Sequence, residues 1–232
     1  EEIRQILAGL DWSPFFISIK TGIAATIVSF FLEYGQQEGA ESEDGSQAVL
    51  DGILTLPLVL PPTVAGFFLL LIFSTRRTVG SYLYTTFDIK IVQSWAGCVI
   101  AATVIAFPLM YRNARAAFEQ VDVNLIYAAQ TLGMPEWKIF WRVIMPAGGP
   151  GVASGTILAF ARALGEYGAT SMLAGNIPGK TATISQRIAM VIQDGDYQTA
   201  GVWVGIVILI AFGIVVLMNL AFGKGMKHTK QW

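Results

Sequence analysis

Charged side chains are scarce in this 232-residue sequence: Asp, Glu, Lys and Arg together make up 13%. A soluble domain carries about 25%, so a surface wetted on all sides is excluded. The single cysteine, Cys98, excludes an internal disulfide, and its apolar surroundings suit a small buried residue. The single histidine, His228, excludes a His-based catalytic triad and a His/Cys zinc site. With a net charge of −1 and a pI near 5.9, no basic field is available to hold nucleic acid. The sequence starts at Glu1 without a methionine, which is compatible with a trimmed leader.

What the sequence does have is apolar residues. They account for 54% of the chain, and mean hydropathy is +0.58. A membrane-crossing helix needs about 20 mostly apolar residues, and five windows qualify: 15–32, 53–73, 91–111, 152–173 and 200–222. The runs are continuous, unlike the short alternating segments of a β-barrel. The expected fold class is therefore all-α, a single polytopic membrane domain over residues 1–232 with about five transmembrane helices. Polar connections are expected at 33–52, 74–90, 112–151 and 174–199.

Lys and Arg near the span ends give the orientation. Arg112, Arg115, Lys138, Arg142, Lys224, Lys227 and Lys230 fall on one side. Arg4, Arg76, Arg77, Lys90, Lys180 and Arg187 fall on the other. That seven-to-six balance favours a cytoplasmic C-terminus and an external N-terminus.

The 112–151 connection is more than a linker. Leu125, Ile126, Leu132, Ile139, Phe140 and Val143 recur at helical spacing. Asp122 suits an N-cap, and Gly133 with Pro135 separates one short helix from another starting near Glu136. Within it, Tyr127-Ala128-Ala129, three residues, Gly133, nine residues and Val143-Ile144-Met145-Pro146 follow one another. This spacing resembles the EAA loop of ABC importer permeases, with Tyr127 where the family usually has glutamate. Small Ala128 and Ala129 allow a short helix to lie close in a partner's groove, and Gly133 allows a sharp exit. An amphipathic helix resting on lipid headgroups is the plainer reading.

Two further stretches narrow the resemblance. Leu56-Pro57-Leu58-Val59-Leu60-Pro61-Pro62-Thr63-Val64-Ala65-Gly66 and Leu158-Ala159-Phe160-Ala161-Arg162-Ala163-Leu164-Gly165-Glu166-Tyr167-Gly168-Ala169-Thr170 are similar to molybdate permeases, as is Asn176-Ile177-Pro178-Gly179-Lys180-Thr181. Sulfate permeases share much of the pattern. The resemblance implies a homodimeric type I importer permease in a bacterial or archaeal cytoplasmic (inner) membrane. It also implies a cytosolic ABC ATPase dimer, an external or periplasmic oxyanion-binding protein, and passage of molybdate and tungstate by alternating access. No cofactor is expected in this chain, since ATP and Mg belong to the partner ATPase. Neither a catalytic residue nor a metal site is expected. Coupling to the ATPase is expected at Ala128, Ala129, Gly133 and Pro146.

Arg162 and Glu166 lie one helical turn apart in the fourth window, on one face. A charge at mid-membrane costs about 2.5–3.5 kcal/mol on an insertion scale, so the two are expected to pair, either beside an anion path or as a bond between helices. Gly151, Gly155, Ala159 and Ala163 form one ladder of small residues, and Ala161, Gly165 and Ala169 a second. Pro57, Pro61 and Pro62 remove backbone donors and must bend or interrupt the second span. Interrupted backbone survives in a membrane only where protein buries it or a cavity borders it, so Pro61 and Pro62 are expected at the pore or a subunit interface.

The stretch from Ala174 to Thr181 satisfies a permissive phosphate-loop pattern. A true phosphate loop follows a strand, and here an apolar helix precedes it, so a contact with an external protein suits it better. Lys20 is expected to snorkel to the outer interface, and Asp194 and Asp196 to be solvated turn residues. Glu33 to Gln47 holds five acids and no base, and is expected to be flexible and solvated. An ATPase-independent transporter or channel would show two related halves, and none is visible. A membrane enzyme would need convergent acids, and Glu166 stands alone.

Overall fold

The computed structural model describes residues 2–37 and 46–223. All regular structure among them is helical, as composition predicts. In chain order the helices are α1 (Glu2–Gly9), α2 (Ser13–Gln37), α3 (Ser46–Val59), α4 (Pro62–Phe73), α5 (Thr78–Phe87) and α6 (Trp95–Glu119). There follow α7 (Val123–Thr131), α8 (Glu136–Ile139), a π-helical turn (Phe140–Ile144), α9 (Met145–Leu164), α10 (Gly168–Ala174), α11 (Ile184–Gln193) and α12 (Tyr197–Gly223). Four stretches are long and apolar enough to cross a membrane: Ser13–Leu32, Trp95–Glu119, Glu136–Leu164 and Tyr197–Leu217. Val49–Val59 and Pro62–Phe73 meet at 115° and make a fifth if counted as one broken span.

The central packing is α6 against α9, with α2 laid over both. Its core is built from small residues: Ala25, Ala102, Ala106, Ala114, Ala159 and Ala163, with Met110 and Val152. The first ladder explains the closeness. A Cβ added at Gly151 would lie 2.4 Å from Ala117 Cβ, and one at Gly155 would lie 2.8 Å from Asn113 Cβ. Replacing Gly151 with leucine is therefore expected to lower the thermal midpoint in detergent, at an overpacking cost of about 1–3 kcal/mol. An unchanged midpoint would mean the two helices do not meet there. The second ladder does not form. Ala161 and Gly165 are exposed, and Ala169 sits on another helix.

Both ends of the bundle are tied by side chains. At one end the Trp12 and Trp203 rings meet edge-on at 6.0 Å, joining the starts of α2 and α12. Lys20, expected to reach toward an interface, sits over the Trp95 ring at 4.1 Å in a cation–π contact. Trp95 Nε1 also donates to Thr21 Oγ1 at 3.1 Å. The starts of α2, α6 and α12 thus share an end, and α9 starts at the opposite one, where Gly148 meets Phe118.

The fourth span differs most from its expected range of 152–173. Helical structure begins at Glu136, runs through the π turn and stops at Leu164. Pro146 has no N–H for the carbonyl of Arg142, and the wider turn just before it, closed by Met145 N to Phe140 O, accommodates that gap. The apolar stretch after Gly165 belongs to α10, because hydropathy does not register a helix break between two equally apolar segments.

The connection 174–199, expected to be polar, is partly buried, while Asp194 and Asp196 within it are exposed. Thr181, Thr183, Ile184 and Gln186 lie inside. Their polar groups are used locally: Ile177 N donates to Thr181 Oγ1 at 2.9 Å, and Gln186 Nε2 donates to the Gly175 carbonyl at 2.9 Å. Thr183 and Gln186 form a capping box on α11, and Ile184 N donates to Ser18 Oγ at 2.8 Å. Of the acidic segment 33–47, residues 33–37 continue α2 as helix and 46–47 open α3; residues 38–45 lie outside the described residues. His228 and the tail lysines also lie outside them.

Candidate functional site

Two regions gather the residues singled out by the sequence. The first is the broken backbone around Pro61 and Glu166. Pro61 and Pro62 have no N–H to give, so the α-helical ladder of α3 cannot pass through them. Leu60 N still bonds the Leu56 carbonyl at 3.1 Å, and Val64 N bonds the Pro61 carbonyl at 2.9 Å, so each helix closes cleanly on its own side of the joint. The interruption expected from the prolines is present, and α4 turns away to pack on α10.

That contact is close because both partners lack bulk. A Cβ at Gly66 would lie 2.6 Å from Ala169 Cα, and one at Gly168 would lie 3.1 Å from Pro62 Cβ. Glu166 reaches the same place from the end of α9. Its Oε2 accepts Arg162 Nη1 at 2.8 Å, and its Oε1 accepts the backbone N–H of Ala169 at 2.8 Å. Glu166 is 1% exposed, while the Arg162 side chain is 32% exposed. One carboxylate therefore joins the last turn of α9 to the first turn of α10, and α10 carries α4. The fold brings Arg162, Glu166 and Pro62 into one junction.

The second region is the 122–146 segment. Asp122 caps α7 as its sequence position suggests, with Oδ1 accepting Asn124 N at 2.9 Å. Gly133 has φ +70°, a left-handed conformation natural to glycine, and it turns the chain from α7 into α8. Ala129 is buried where α7 packs on α8 and the π turn, whereas Ala128, Gly133 and Pro146 are exposed. Val123, Leu125, Tyr127, Leu132, Trp137 and Trp141 are exposed around them. From Glu136 to Leu164 the helical rod spans 29 residues, or about 43 Å at 1.5 Å per residue. This exceeds the roughly 30 Å hydrocarbon core, and α7 packs on the rod's first turns.

The phosphate-loop look-alike has no free hydroxyl to offer, since Thr181 is buried and holds its own loop. Asp196 Oδ1 accepts Thr199 N at 3.0 Å at the start of α12, and bonds from Thr199 hold its carboxyl below the usual range. Among the described residues no group of acids, histidines and cysteines could hold a metal ion.

Sequence reading missed a cluster at the α7 end of the bundle. The Asp51 carboxylate accepts both the Tyr111 hydroxyl and the Arg115 guanidinium. Arg115 Nε also bonds Glu119 Oε1 at 2.7 Å. The available signal was Asp51 itself, the lone acid among the apolar residues 49–60.

Comparison with known proteins fits this architecture. The family described as "Binding-protein-dependent transport system inner membrane component" matches residues 46–222. The Molybdenum transport system permease protein ModB of Escherichia coli (strain K12) is 42% identical over 192 residues, 82% of this chain and 83% of that protein. The Putative molybdenum transport system permease protein YvgM of Bacillus subtilis (strain 168) is 38% identical, covering 90% and 92%. The Sulfate transport system permease protein CysT of E. coli K12 is 32% identical, covering 91% and 75%. In fold, the chain is similar to one from the MetNI methionine ABC transporter, with a TM-score of 0.60 at 15% identity, covering 95% of this chain and 98% of that one. With a broken second span, a long helical rod and this match over most of its length, the all-helical chain is a member of the binding-protein-dependent transport system inner membrane component family.

Proposed function

We propose that this chain is the membrane subunit of an ATP-driven importer that passes molybdate, and with it the similar oxyanion tungstate. The substrate rests on the grading of relatives: 42% and 38% identity to permeases named for molybdenum, against 32% to one named for sulfate. Two copies form the pathway, two cytosolic ATPase subunits bind the α7 ends, and an external oxyanion-binding protein delivers the anion. The C-terminus and α7 lie in the cytoplasm. ATP and Mg stay on the partner, and this chain holds neither.

The mechanism uses the rod. The apolar surface of α7 fits a groove in the ATPase, with Ala128 at the contact, Ala129 seating α7 on its own rod and Gly133 setting the angle between them. Closure of the ATPase dimer displaces α7, and α8, the π turn at Pro146 and α9 carry that displacement to Arg162 and Glu166. There it reaches α10, α4 and the joint at Pro61 and Pro62, which gates the path. Glu166 positions the gate. Among the described residues Arg162 bonds Glu166 through Nη1, and it offers a positive charge to a passing oxyanion.

Vesicles holding permease and ATPase, with ATP inside and binding protein outside, are expected to take up labelled molybdate against excess sulfate. Equal sulfate entry would assign the sulfate relatives' substrate to this chain. Entry without the ATPase would overturn the importer reading.

A further inference from the structure

The two arms of the broken span are held by different neighbours. Helix α4 is pinned to α10 through Gly66 and Gly168, whereas α3 rests chiefly on α6. Much of α3 faces away from protein: Val49, Ile53, Leu56 and Val59 are exposed, the last at 82%. Near its start, α3 is tied to α6 by Asp51, which accepts from Tyr111 and Arg115.

We propose that α3 is a movable arm, hinged at Leu60–Pro62 and latched to α6 by Asp51 with Tyr111 and Arg115, and that the latch opens and closes during transport. No helical hydrogen bond crosses the joint at Pro61 and Pro62, so a change of angle there breaks none, and with φ fixed by the two rings it is taken up in ψ. The latch lies at the bundle surface and not in its core, with side-chain exposures of 32% for Asp51 and 44% for Arg115. Of the three groups, release leaves only Asp51 without a partner. Arg115 keeps the Glu119 carboxylate at 2.7 Å, one turn on, and Tyr111 stays within 3.1 Å of the guanidinium. Its position suits a coupled device, since Arg115 lies in the last turns of α6 and α7 begins at Val123. A displaced α7 pulls on the helix end that holds the latch.

This inference rests on the importer reading for its driving partner, but not on the identity of the anion. The test uses the permease–ATPase complex with Cys98→Ala, which removes the chain's one cysteine. Asp51→Cys with Arg115→Cys is bridged by a short bis-methanethiosulfonate reagent, which joins the two thiols through disulfides and releases methanesulfinate, with and without ATP and vanadate. Bridging is expected to slow at least about fivefold in one of the two states, and the bridged complex to lose at least about tenfold in uptake, restored by reduction. Equal bridging rates together with undiminished uptake by the bridged complex would overturn the proposal. A second pair, Gly52→Cys with Arg112→Cys, leaves the latch intact and carries spin labels on exposed positions. A label separation that changes between nucleotide states supports the moving arm, and an unchanged separation overturns it even if the first pair fails to assemble. Absence of molybdate uptake in the unmodified complex counts against the proposed substrate alone, because arm movement is read without it.

Discussion

Truncating Glu166 to alanine is expected to remove most of the folded permease, and Glu166→Gln to keep it. Alanine leaves the buried Ala169 N–H without its acceptor, a loss of about 1–3 kcal/mol. It also leaves Arg162 without its anion. Removing one partner of a fully buried pair costs about 3–5 kcal/mol, and the 32% exposure of the Arg162 side chain brings this toward the lower end. Against a total stability of about 5–15 kcal/mol, the sum is large. Glutamine keeps an oxygen for Ala169 and sets a neutral amide beside Arg162. The measurement is the yield and thermal midpoint of detergent-extracted complex. Wild-type values for the alanine variant would refute the junction's structural role.

Arg162→Gln separates the second role of the pair. Its amide can still donate to Glu166 but leaves that buried carboxylate without a counter-charge. Loss of the assembled complex would therefore mark a bond between helices, and normal assembly with lost uptake would mark the path. Uptake is then expected to fall at least about tenfold, the scale of roughly 1.4 kcal/mol in a barrier. Normal assembly with normal uptake would remove Arg162 from the path.

Gly133→Val is expected to weaken ATPase docking while leaving the membrane bundle intact. A side chain at Gly133 would meet nothing within 4 Å, so space is not the obstacle. The obstacle is φ +70°, where an ordinary L-residue costs about 1–2 kcal/mol and a β-branched one more. The chain escapes that cost by turning differently, which re-aims α7. A penalty of that size corresponds to roughly a tenfold loss in affinity, read as ATPase co-purifying with the permease. Gly133→Asn is the control, since asparagine tolerates the left-handed region. Equal co-purification by glycine, asparagine and valine forms would sink the assignment.

Several of these features were legible in the chain itself. Long apolar runs with little charge can only be buried in lipid, and a helix satisfies its own backbone there. The all-helical class and the positions of most spans follow from that. Pro61 and Pro62 announced a break, because a missing N–H is a local chemical fact. The Arg162–Glu166 pair followed from a spacing of four, and the cap at Asp122 from residue type.

Other features needed distant parts of the chain to meet. The break at Gly165 is invisible to hydropathy, since α9 and α10 are equally apolar. It exists because Glu166 bonds Ala169 and because Gly66 lets α4 approach. Thr181 and Gln186 read as loop residues from their polarity, and they are buried because they satisfy one another's neighbours inside the fold. The tie between Asp51 and Arg115 spans 64 positions, and no local pattern relates the two. The solvent, the helical class, the proline break and the charged pair all depend on residue types within a turn or two, and so could be read along the chain. Tertiary structure decided where the rod begins and ends, which helix each arm of the broken span holds, and which polar groups are inside, because these depend on contacts that exist only after the chain has packed.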